Sequence, residues 1–483
     1  MTLRRAWLWI AGAVLADVIL RLRFLNVPLN VDEAGFGAVT RTWVRGFALY
    51  GDVAWVDRPQ GLLGLYRIAL WFGDEWAIRM LALKAGVVLV IALAVIAWTI
   101  GGPRAAVIAA WLMAVIGPAP HIEGFTANGE LLGGAVAAAA IAIAFRWSEW
   151  PRLWLLLIAG VVAGFAPLIK QSAFDGVLVV GVMVLVVAYR ERDWLAGLGR
   201  LVVLGIGIAI PWVLAIIAAA FSSPGVGGWW YAIYGYRSQT ESLFSGDVGF
   251  RANLLVNSIP WMLVDAGVLI LLGIIGLLAM RRERCLLVPL VWLAACMLGF
   301  LIGGLYHPHY WVQLLPPFAL FAAIGGIWLW ENTTPRVGLI VIAIAAAIPV
   351  VAALPVYFAS SPELASERST NDPRVISAIT VGNQVAGMTG YHDRIQVLWA
   401  NAAIYWYADR IPATRYLWYR NIERIPGGRQ HVVDAFAGDT PPKVAVGYQP
   451  VEALDIDGEI QSVLDQRYTA TEVDGQPVWQ LKP

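Results

Sequence analysis

The feature that most constrains this chain is a series of long apolar runs, most of them roughly 17 to 24 residues in length. A helix of that length crosses the roughly 30 Å of hydrocarbon in a bilayer. Such runs recur at residues 6–23, 81–99, 104–118, 130–146, 153–169, 174–189, 200–221, 256–280, 286–304, 311–330 and 337–357. Hydrophobic residues make up 59% of the chain, charged residues only 14%, and the mean hydropathy is +0.68. The sequence therefore predicts a polytopic α-helical membrane protein with about 11 transmembrane helices.

The charges in the short loops predict the orientation. If the N-terminus is cytoplasmic, every inward turn carries arginine, as the positive-inside rule requires. These arginines are Arg104, Arg146, Arg152, Arg190, Arg192, Arg200, Arg281, Arg282, Arg284 and Arg336. The acids, histidines and turn residues then fall on the extracytoplasmic face. The first run also follows Arg4 and Arg5 and so fits a signal peptide; we interpret it as a retained first span.

Composition divides the chain in two. Residues 1–357 are predicted to form the transmembrane domain, with a long first outer loop at 24–78 in which Arg41 and Arg45 are expected at the membrane interface. Residues 358–483 are more polar and predict a small extracytoplasmic α/β domain. Its expected elements are a helix at 372–385, a strand at 394–400, a helix from 401, a strand at 443–447 and a hairpin at 468–481.

Several classes of function lack support in the sequence. The formal net charge is +1, and the basic residues form short clusters rather than one face, so nucleic acid is not an expected partner. There is no GxGxxG or Walker pattern. The two cysteines, Cys285 and Cys296, lie at or inside one apolar run and form no CxxC motif. No internal repeat is evident, which weakens a secondary-transporter interpretation.

The acidic pair Asp32-Glu33 follows the first apolar run directly. An acid at the edge of a bilayer is costly unless it has a task or a partner, so Asp32 is the leading candidate for a catalytic group. The alternative is structural. Both acids suit the N-terminus of a helix that carries Phe36, Val39 and Trp43.

A site that transfers a group from a phosphate-linked lipid needs a carboxylate to accept a proton and cations to hold the departing phosphate. The candidate cationic or polar residues are Arg58, Lys170, His307 and His309. Lys170 follows an apolar stretch, where an ammonium is costly unless it meets an anion. It would bind a phosphate, pair with Asp175, or extend its side chain to the membrane surface by snorkelling.

Glu130 opens a predicted helix on the outer face, where it is either a site residue or an acid that favours the helix dipole. His307 and His309 stand two apart across a proline and would project to one side of an extended segment. Their spacing also fits metal ligands, but no third ligand clusters with them, so we predict no metal site. The sequence leaves open whether a divalent cation takes part.

The order of several short segments resembles the GT-C membrane glycosyltransferases, specifically the bacterial branch of the dolichyl-phosphate-mannose protein mannosyltransferase family, to which the lipid A aminoarabinose transferase is related. The matching segments are residues 21–26 leading into Asp32-Glu33, then 51–61, 126–130, 164–170, 309–316 and 398–416. Residues 58–61 read Arg-Pro-Gln-Gly where relatives often have Lys-Pro-Pro. The departure changes the geometry of one expected phosphate contact, because arginine binds phosphate as a fork and lysine as a point charge.

The resemblance implies a GT-C fold and an inverting transfer of a hexose or pentose from a polyprenyl-phosphate donor to an extracytoplasmic hydroxyl of a glycan, lipid or protein. It implies that Asp32 is the catalytic base and that Arg58, Lys170 and His309 bind the donor phosphate. Glu33, Glu130, His307 and Tyr310 become further site members. It also implies a multi-pass protein of the bacterial inner membrane that acts in the cell envelope, with its active site outside the cytoplasm.

One alternative class is a transporter or binding protein for an anionic lipid or solute, in which the same charges line a path without transferase activity. That class predicts polar residues inside the apolar runs, whereas the charged residues of this chain cluster at their ends. A second alternative is a scaffold whose exported C-terminal domain is the active part.

Overall fold

The computed structural model describes residues 2–53, 55–237, 248–280, 286–370, 372–399 and 401–483. Arg281, Arg282, Arg284 and Cys285, to which the sequence analysis referred, lie outside these ranges. The first two thirds of the chain is helical. Its α-helices are α1 Leu3–Leu22, α2 Val31–Val44, α3 Gln60–Ala69, α4 Glu75–Ile116, α5 Gly129–Glu149, α6 Leu153–Phe165, α7 Asp175–Glu191, α8 Trp194–Ala220, α9 Gly225–Trp230, α10 Val248–Ala279, α11 Leu287–Gly303, α12 Leu315–Asn332 and α13 Pro335–Tyr357.

Each predicted apolar run lies largely within one of these helices. Two of them, 81–99 and 104–118, fall on α4, which kinks where Gly102 leaves the helical region of φ and ψ just before Pro103. Among the described residues, six helices are long and apolar enough to cross a membrane: α4, α5, α8, α10, α13, and α12 together with the 3₁₀ turn Pro308–Leu314. These features indicate a multi-pass membrane protein. The count of eleven spans stays a prediction.

The helices pack in pairs, with α1 against α4, α6 against α8, and α10 against α12. The last pair approaches closely because both helices present glycine at the contact. A Cβ on Gly276 would overlap the carbonyl oxygen of Phe321, and one on Gly325 would overlap that of Leu272. Small residues at such a crossing let two backbones touch, which is how helices associate in the absence of water.

The remaining residues form helices around one sheet. The helices are α14 Pro362–Thr370, α15 Pro373–Met388, α16 Ala403–Ala408, α17 Tyr419–Arg424, α18 Gly428–Ala437 and α19 Glu459–Arg467, and the strands are β1 Arg394–Leu398, β2 Ile411–Pro412, β3 Val444–Gly447, β4 Tyr468–Val473 and β5 Gln476–Leu481. The strand order is β2-β1-β3-β5-β4. Strand β1 is parallel to β2 and β3, whereas β5 is antiparallel to β3 and β4.

The local predictions for this part of the chain are confirmed at the level of single elements. The expected strands coincide with β1 and β3, and the hairpin turns at Asp474 and Gly475, which both have positive φ. Positive φ at both central residues suits a tight two-residue turn between twisted strands.

The segment between α1 and α4 carries α2 and α3, and α2 packs against α16 of the C-terminal part. Both predicted interface arginines of α2 bind there, with Arg41 Nη1 at 2.8 Å and Arg45 Nη2 at 2.7 Å from Asp409 Oδ1. Their location at the membrane interface stays a prediction. A nearby carboxylate satisfies their charge, and the two pairs tie α2 to the C-terminal part.

We expect Gly276→Ala to destabilise the protein by about 1 to 3 kcal/mol, because the added methyl group would force α10 and α12 apart. Thermal unfolding in detergent measures the effect. Gly181→Ala is the matched control, since Gly181 lies in α7 with no atom within 4 Å of the added Cβ position. Equal unfolding temperatures for the two variants would contradict the packing argument.

Candidate functional site

Asp32 lies in the first turn of α2, as the sequence predicted, and its carboxylate accepts one hydrogen bond. Trp418 Nε1 donates to Asp32 Oδ1 at 3.1 Å. Burial alone would raise the pKa of Asp32, but the positive charges of His309 and Arg58, with the Trp418 hydrogen bond, outweigh it and hold the pKa below its usual value. A carboxylate with that pKa is ionised at neutral pH.

Glu33 points to the opposite side of the same turn. Its carboxylate is 3.0 Å from Arg79 Nη1 and accepts the Ala127 backbone N–H at 2.7 Å. It also forms a capping box with Asn30 at the start of α2. Glu33 is fully buried and lines neither of the two cavities described below. For Glu33 the structure favours the structural alternative, in which the acid holds the helix start and the loop before α5.

Four polar side chains of the site contact one another in series. His309 Nδ1 is 2.9 Å from Glu123 Oε2, and its Nε2 is 3.7 Å from Glu130 Oε1. Glu130 in turn forms a direct ion pair with the Lys170 ammonium. The predicted residues Glu130, Lys170 and His309 are thus brought together, with Glu123 as a fourth member.

Lys170 lies between the 3₁₀ turn after α6 and the start of α7. Its ammonium is 4.2 Å from the centroid of the Tyr310 ring, within cation–π range. Burial, followed by repulsion from Arg58 and Arg237, lowers the pKa of Lys170. The carboxylate of Glu130 in the ion pair favours the charged form of the lysine. The alternative pairing with Asp175 is wrong, because that carboxylate accepts from Trp292 and Cys296 instead.

Arg58 is held by its neighbour Asp57, whose Oδ1 lies 2.8 Å from Arg58 Nη1. Asp57 also accepts the Tyr236 hydroxyl at 2.5 Å and contacts Arg237 at 3.4 Å. Burial would raise the pKa of Asp57, but Arg58 and Arg237 lower it below its usual value. Two guanidinium groups from distant parts of the chain therefore share one carboxylate.

His307 and His309 do project together, with ring centroids 5.6 Å apart and nearly parallel planes. Burial, followed by the charge of His309, lowers the pKa of His307 to about 4. His307 is accordingly a neutral imidazole at neutral pH. Within the described ranges, no group of three or more His, Cys, Asp or Glu residues is arranged to hold a metal ion.

These residues surround two adjoining cavities. The first, here called the aspartate cavity, has a volume of about 330 Å³, and the second, the cationic cavity, about 270 Å³. Of the predicted residues, the aspartate cavity is lined by Asp32, Arg58, His307, His309 and Tyr310. Lys170 lines the cationic cavity, while Arg58 and Tyr310 line both. Glu130 lines neither cavity, but it forms the ion pair with Lys170.

The cationic cavity carries a surplus of positive charge. Five cationic side chains line it, against the single carboxylate of Asp57; they are Arg58, Lys170, Arg237, Arg420 and Arg424. Apolar side chains complete the wall: Phe174, Ile302, Leu305 and Ile425. A cavity with such a lining attracts an anion that carries apolar groups.

Sequence reasoning missed the contribution of the C-terminal part. Trp418, Arg420 and Arg424 reach the cavities from the segment around α17, and Arg237 from the end of the π-helical turn Tyr231–Gly235. Arg420 and Arg424 are four apart, but such a spacing is common on solvated helices, so nothing in the sequence linked them to Asp32.

Comparisons with known proteins give the fold. No protein-family model matches the chain, and no curated protein sequence matches it. The crystal structure of ArnT from Cupriavidus metallidurans bound to undecaprenyl phosphate does match, with a TM-score of 0.64 at 15% identity over 99% of this chain and 98% of that one.

Two structures of the oligosaccharyltransferase of Archaeoglobus fulgidus also match. The complex with Zn and sulfate has a TM-score of 0.58 at 16% identity, over 98% of this chain and 73% of that one. The complex of AglB with an inhibitory peptide and a dolichol-phosphate has a TM-score of 0.53 at 15% identity, over 99% and 74%. The chain has the GT-C fold of these membrane glycosyltransferases, as the sequence predicted.

We expect Glu33→Ala to lower the free energy of unfolding by about 3 to 5 kcal/mol, because it leaves Arg79 as an unpaired buried charge. Asp32→Ala should have a much smaller effect, since it removes one hydrogen bond and no ion pair. Thermal unfolding of both variants in detergent tests the contrast. If Asp32→Ala is the more destabilised protein, the roles assigned to the two acids are reversed.

Proposed function

We propose that the protein is an inverting glycosyltransferase that moves a sugar from a polyprenyl-phosphate donor to a hydroxyl group of an extracytoplasmic acceptor. One observation carries this proposal. The ionised carboxylate of Asp32 lines a cavity that adjoins a second cavity with five cationic side chains. A base next to an anion site is the arrangement that transfer from a phosphate leaving group requires.

The donor phosphate would bind in the cationic cavity. Arg58 offers a planar fork of donors, and Lys170 offers an ammonium with three N–H groups, of which Glu130 does not occupy all. The apolar wall formed by Phe174, Ile302 and Leu305 suits the first isoprene units of a lipid. The likeness to a fold that has been crystallised with undecaprenyl phosphate, in ArnT, supports this class of donor.

The reaction would be a single displacement. The acceptor hydroxyl oxygen attacks C1 of the sugar from the face opposite the phosphate, the C1–O bond to phosphate breaks, and the electron pair leaves with the phosphate. Asp32 takes the hydroxyl proton as the new bond forms. Arg58 and Lys170 stabilise the charge that develops on the phosphate oxygens. One displacement inverts the configuration at C1 and needs one essential carboxylate.

The low pKa of Asp32 is compatible with this role. A weak base cannot deprotonate a free hydroxyl in water, but it can accept a proton that becomes acidic as the oxygen bonds to C1. His309 and Arg58 keep the carboxylate ionised at neutral pH before the reaction. His309 is itself oriented by Glu123 and lies near Glu130, so its place beside the base is fixed.

The same proposal includes the topology. The protein would cross a bacterial inner membrane with about 11 helices, an N-terminus in the cytoplasm, and residues 358–483 as an extracytoplasmic α/β domain. The arginine-rich short loops support this orientation. The transferred sugar would be a hexose or pentose, and the acceptor a glycan, lipid or protein of the cell envelope.

Asp32→Asn should abolish transfer while folding and lipid binding persist, because asparagine keeps the size and the Trp418 hydrogen bond but accepts no proton. The assay uses purified protein in detergent, lipid-phosphate sugars extracted from the source membranes, and an envelope fraction as acceptor. Wild-type turnover without any membrane gradient separates a transferase from a transporter. Retained transfer by Asp32→Asn would remove Asp32 from the mechanism.

The double variant Lys170→Met with Glu130→Gln should weaken binding of undecaprenyl phosphate by about tenfold, because one of the cations is lost while no buried charge is left unpaired. Thermophoresis of the labelled protein in detergent measures the dissociation constant. Lys443→Gln is the matched control, since Lys443 is exposed on the C-terminal sheet and lines neither cavity. Unchanged binding by the double variant would exclude Lys170 from the phosphate site.

A further inference from the structure

One short segment of the C-terminal part forms a wall of both cavities. It runs from Trp418 through α17 to Arg424. Trp418 and Tyr419 line the aspartate cavity, Arg424 lines the cationic cavity, and Arg420 lines both. The segment, here called the wall segment, is far in sequence from Asp32, Arg58 and Lys170.

The wall segment is packed firmly against the segment between α1 and α4. The Trp418 ring lies 5.6 Å from the Phe36 ring, and a Cβ on Gly35 would lie 2.5 Å from a Trp418 ring carbon. Glycine at position 35 therefore allows the indole to reach over the first turn of α2. The indole N–H points at the carboxylate of Asp32, at 3.1 Å from Oδ1.

The residues just before the wall segment fix its position further. Arg415 Nη2 donates to the Tyr50 carbonyl oxygen at 3.2 Å, and the Tyr416 ring meets the Trp55 ring edge to face at 5.1 Å. Trp55 is fully buried. One hydrogen bond to a backbone carbonyl and one ring contact therefore hold the start of the wall segment against the loop that carries Arg58.

Arg420 differs from the other cations around the cavities. Arg58 is paired with Asp57, Lys170 with Glu130, and Arg424 with Glu423. Within the described residues, Arg420 forms neither an ion pair nor a hydrogen bond, and its guanidinium carbon lies 5.8 Å from the centroid of the Phe250 ring. A half-buried guanidinium at the boundary of two cavities, with its donors unused, is suited to an anionic ligand.

We propose that the wall segment is part of the transferase site, in which Trp418 positions the carboxylate of Asp32 and Arg420 binds the phosphate of the donor. The inference rests on the proposed function and adds two roles that the resemblance does not assign. Trp418 fixes the carboxylate so that the oxygen without the indole bond faces the acceptor hydroxyl.

Trp418→Phe tests the positioning role, because it keeps an aromatic ring against Phe36 and removes the N–H donor. The hydrogen bond stabilises the ionised carboxylate, so its loss raises the pKa of Asp32. Activity requires the ionised form and falls as the pH falls through that pKa. We expect the acidic limb of the kcat profile to move to higher pH by about one unit, with kcat reduced and KM for the donor nearly unchanged.

Trp479→Phe is the matched control, since Trp479 lies in β5 and lines neither cavity. A Trp418→Phe protein whose profile keeps its wild-type shape, with activity lowered equally at all pH values, would assign Trp418 a packing role only and overturn the positioning role.

Arg420→Gln tests the phosphate role without any knowledge of the sugar. We expect the dissociation constant of the full-length variant for undecaprenyl phosphate to rise about tenfold, and Arg420→Lys to recover part of the loss. Arg394→Gln serves as the control, because Arg394 is an exposed arginine of the same C-terminal part and lines neither cavity.

The outcomes separate the two proposals. If the wild-type protein does not bind undecaprenyl phosphate, the proposed function fails. If the wild-type protein binds the lipid and Arg420→Gln binds it equally well, the proposed function stands and the role of Arg420 is overturned. Unfolding temperatures measured in parallel identify any variant that has simply lost its fold.

Discussion

Buried charge at the edge of the apolar helices is the constraint on which the rest of this structure depends. An unpaired ion in such a place is expensive, so acids and bases there must meet. Three pairs do so, Asp17 with Arg21, Glu33 with Arg79, and Glu130 with Lys170. The first two pairs contact the connection between α4 and α5, since Arg21 donates to the Gly124 carbonyl oxygen and Glu33 accepts from Ala127, and the third begins at Glu130 in the first turn of α5. The pairs act as anchors for that connection, which also carries Glu123 and so positions His309.

Asp32 stands apart from this system of pairs. Among the described residues, no cationic nitrogen lies within 4 Å of its carboxylate, although Arg58 and His309 are close enough to lower its pKa. The reason is that both candidates already have partners, Arg58 in Asp57 and His309 in Glu123. An ion pair would stabilise Asp32 but would occupy the lone pairs that accept a proton in the proposed reaction. Asp57 and Glu123 therefore hold Arg58 and His309 near Asp32 without letting either pair directly with its carboxylate.

The sequence was informative wherever a single segment carried its own signal. The apolar runs predicted the helices, the acids after the first run predicted the start of α2, and the turn at Asp474 and Gly475 predicted the last hairpin. It failed where a contact joins segments that are distant in the chain. Trp418 reaches Asp32 over 386 positions, and Lys170 pairs with Glu130 rather than with the nearby Asp175. Sequence spacing measures distance along one element, whereas these contacts depend on how the helices are arranged around the loops.

The difference between the two cavity walls bears on where the reacting bond would lie. Among the described residues, the aliphatic side chains of the aspartate cavity are Val31 and Leu305, whereas Phe174, Ile302, Leu305 and Ile425 form an apolar part of the wall of the cationic cavity. A lipid phosphate bound by the cations would thus leave its sugar at the shared boundary, which Arg58, Tyr310 and Arg420 form. The bond from C1 to the phosphate oxygen would then lie between the cations that stabilise the departing charge and the carboxylate that takes the proton. Separation of the two groups is itself necessary, because a base in direct contact with those guanidinium groups would be neutralised by them.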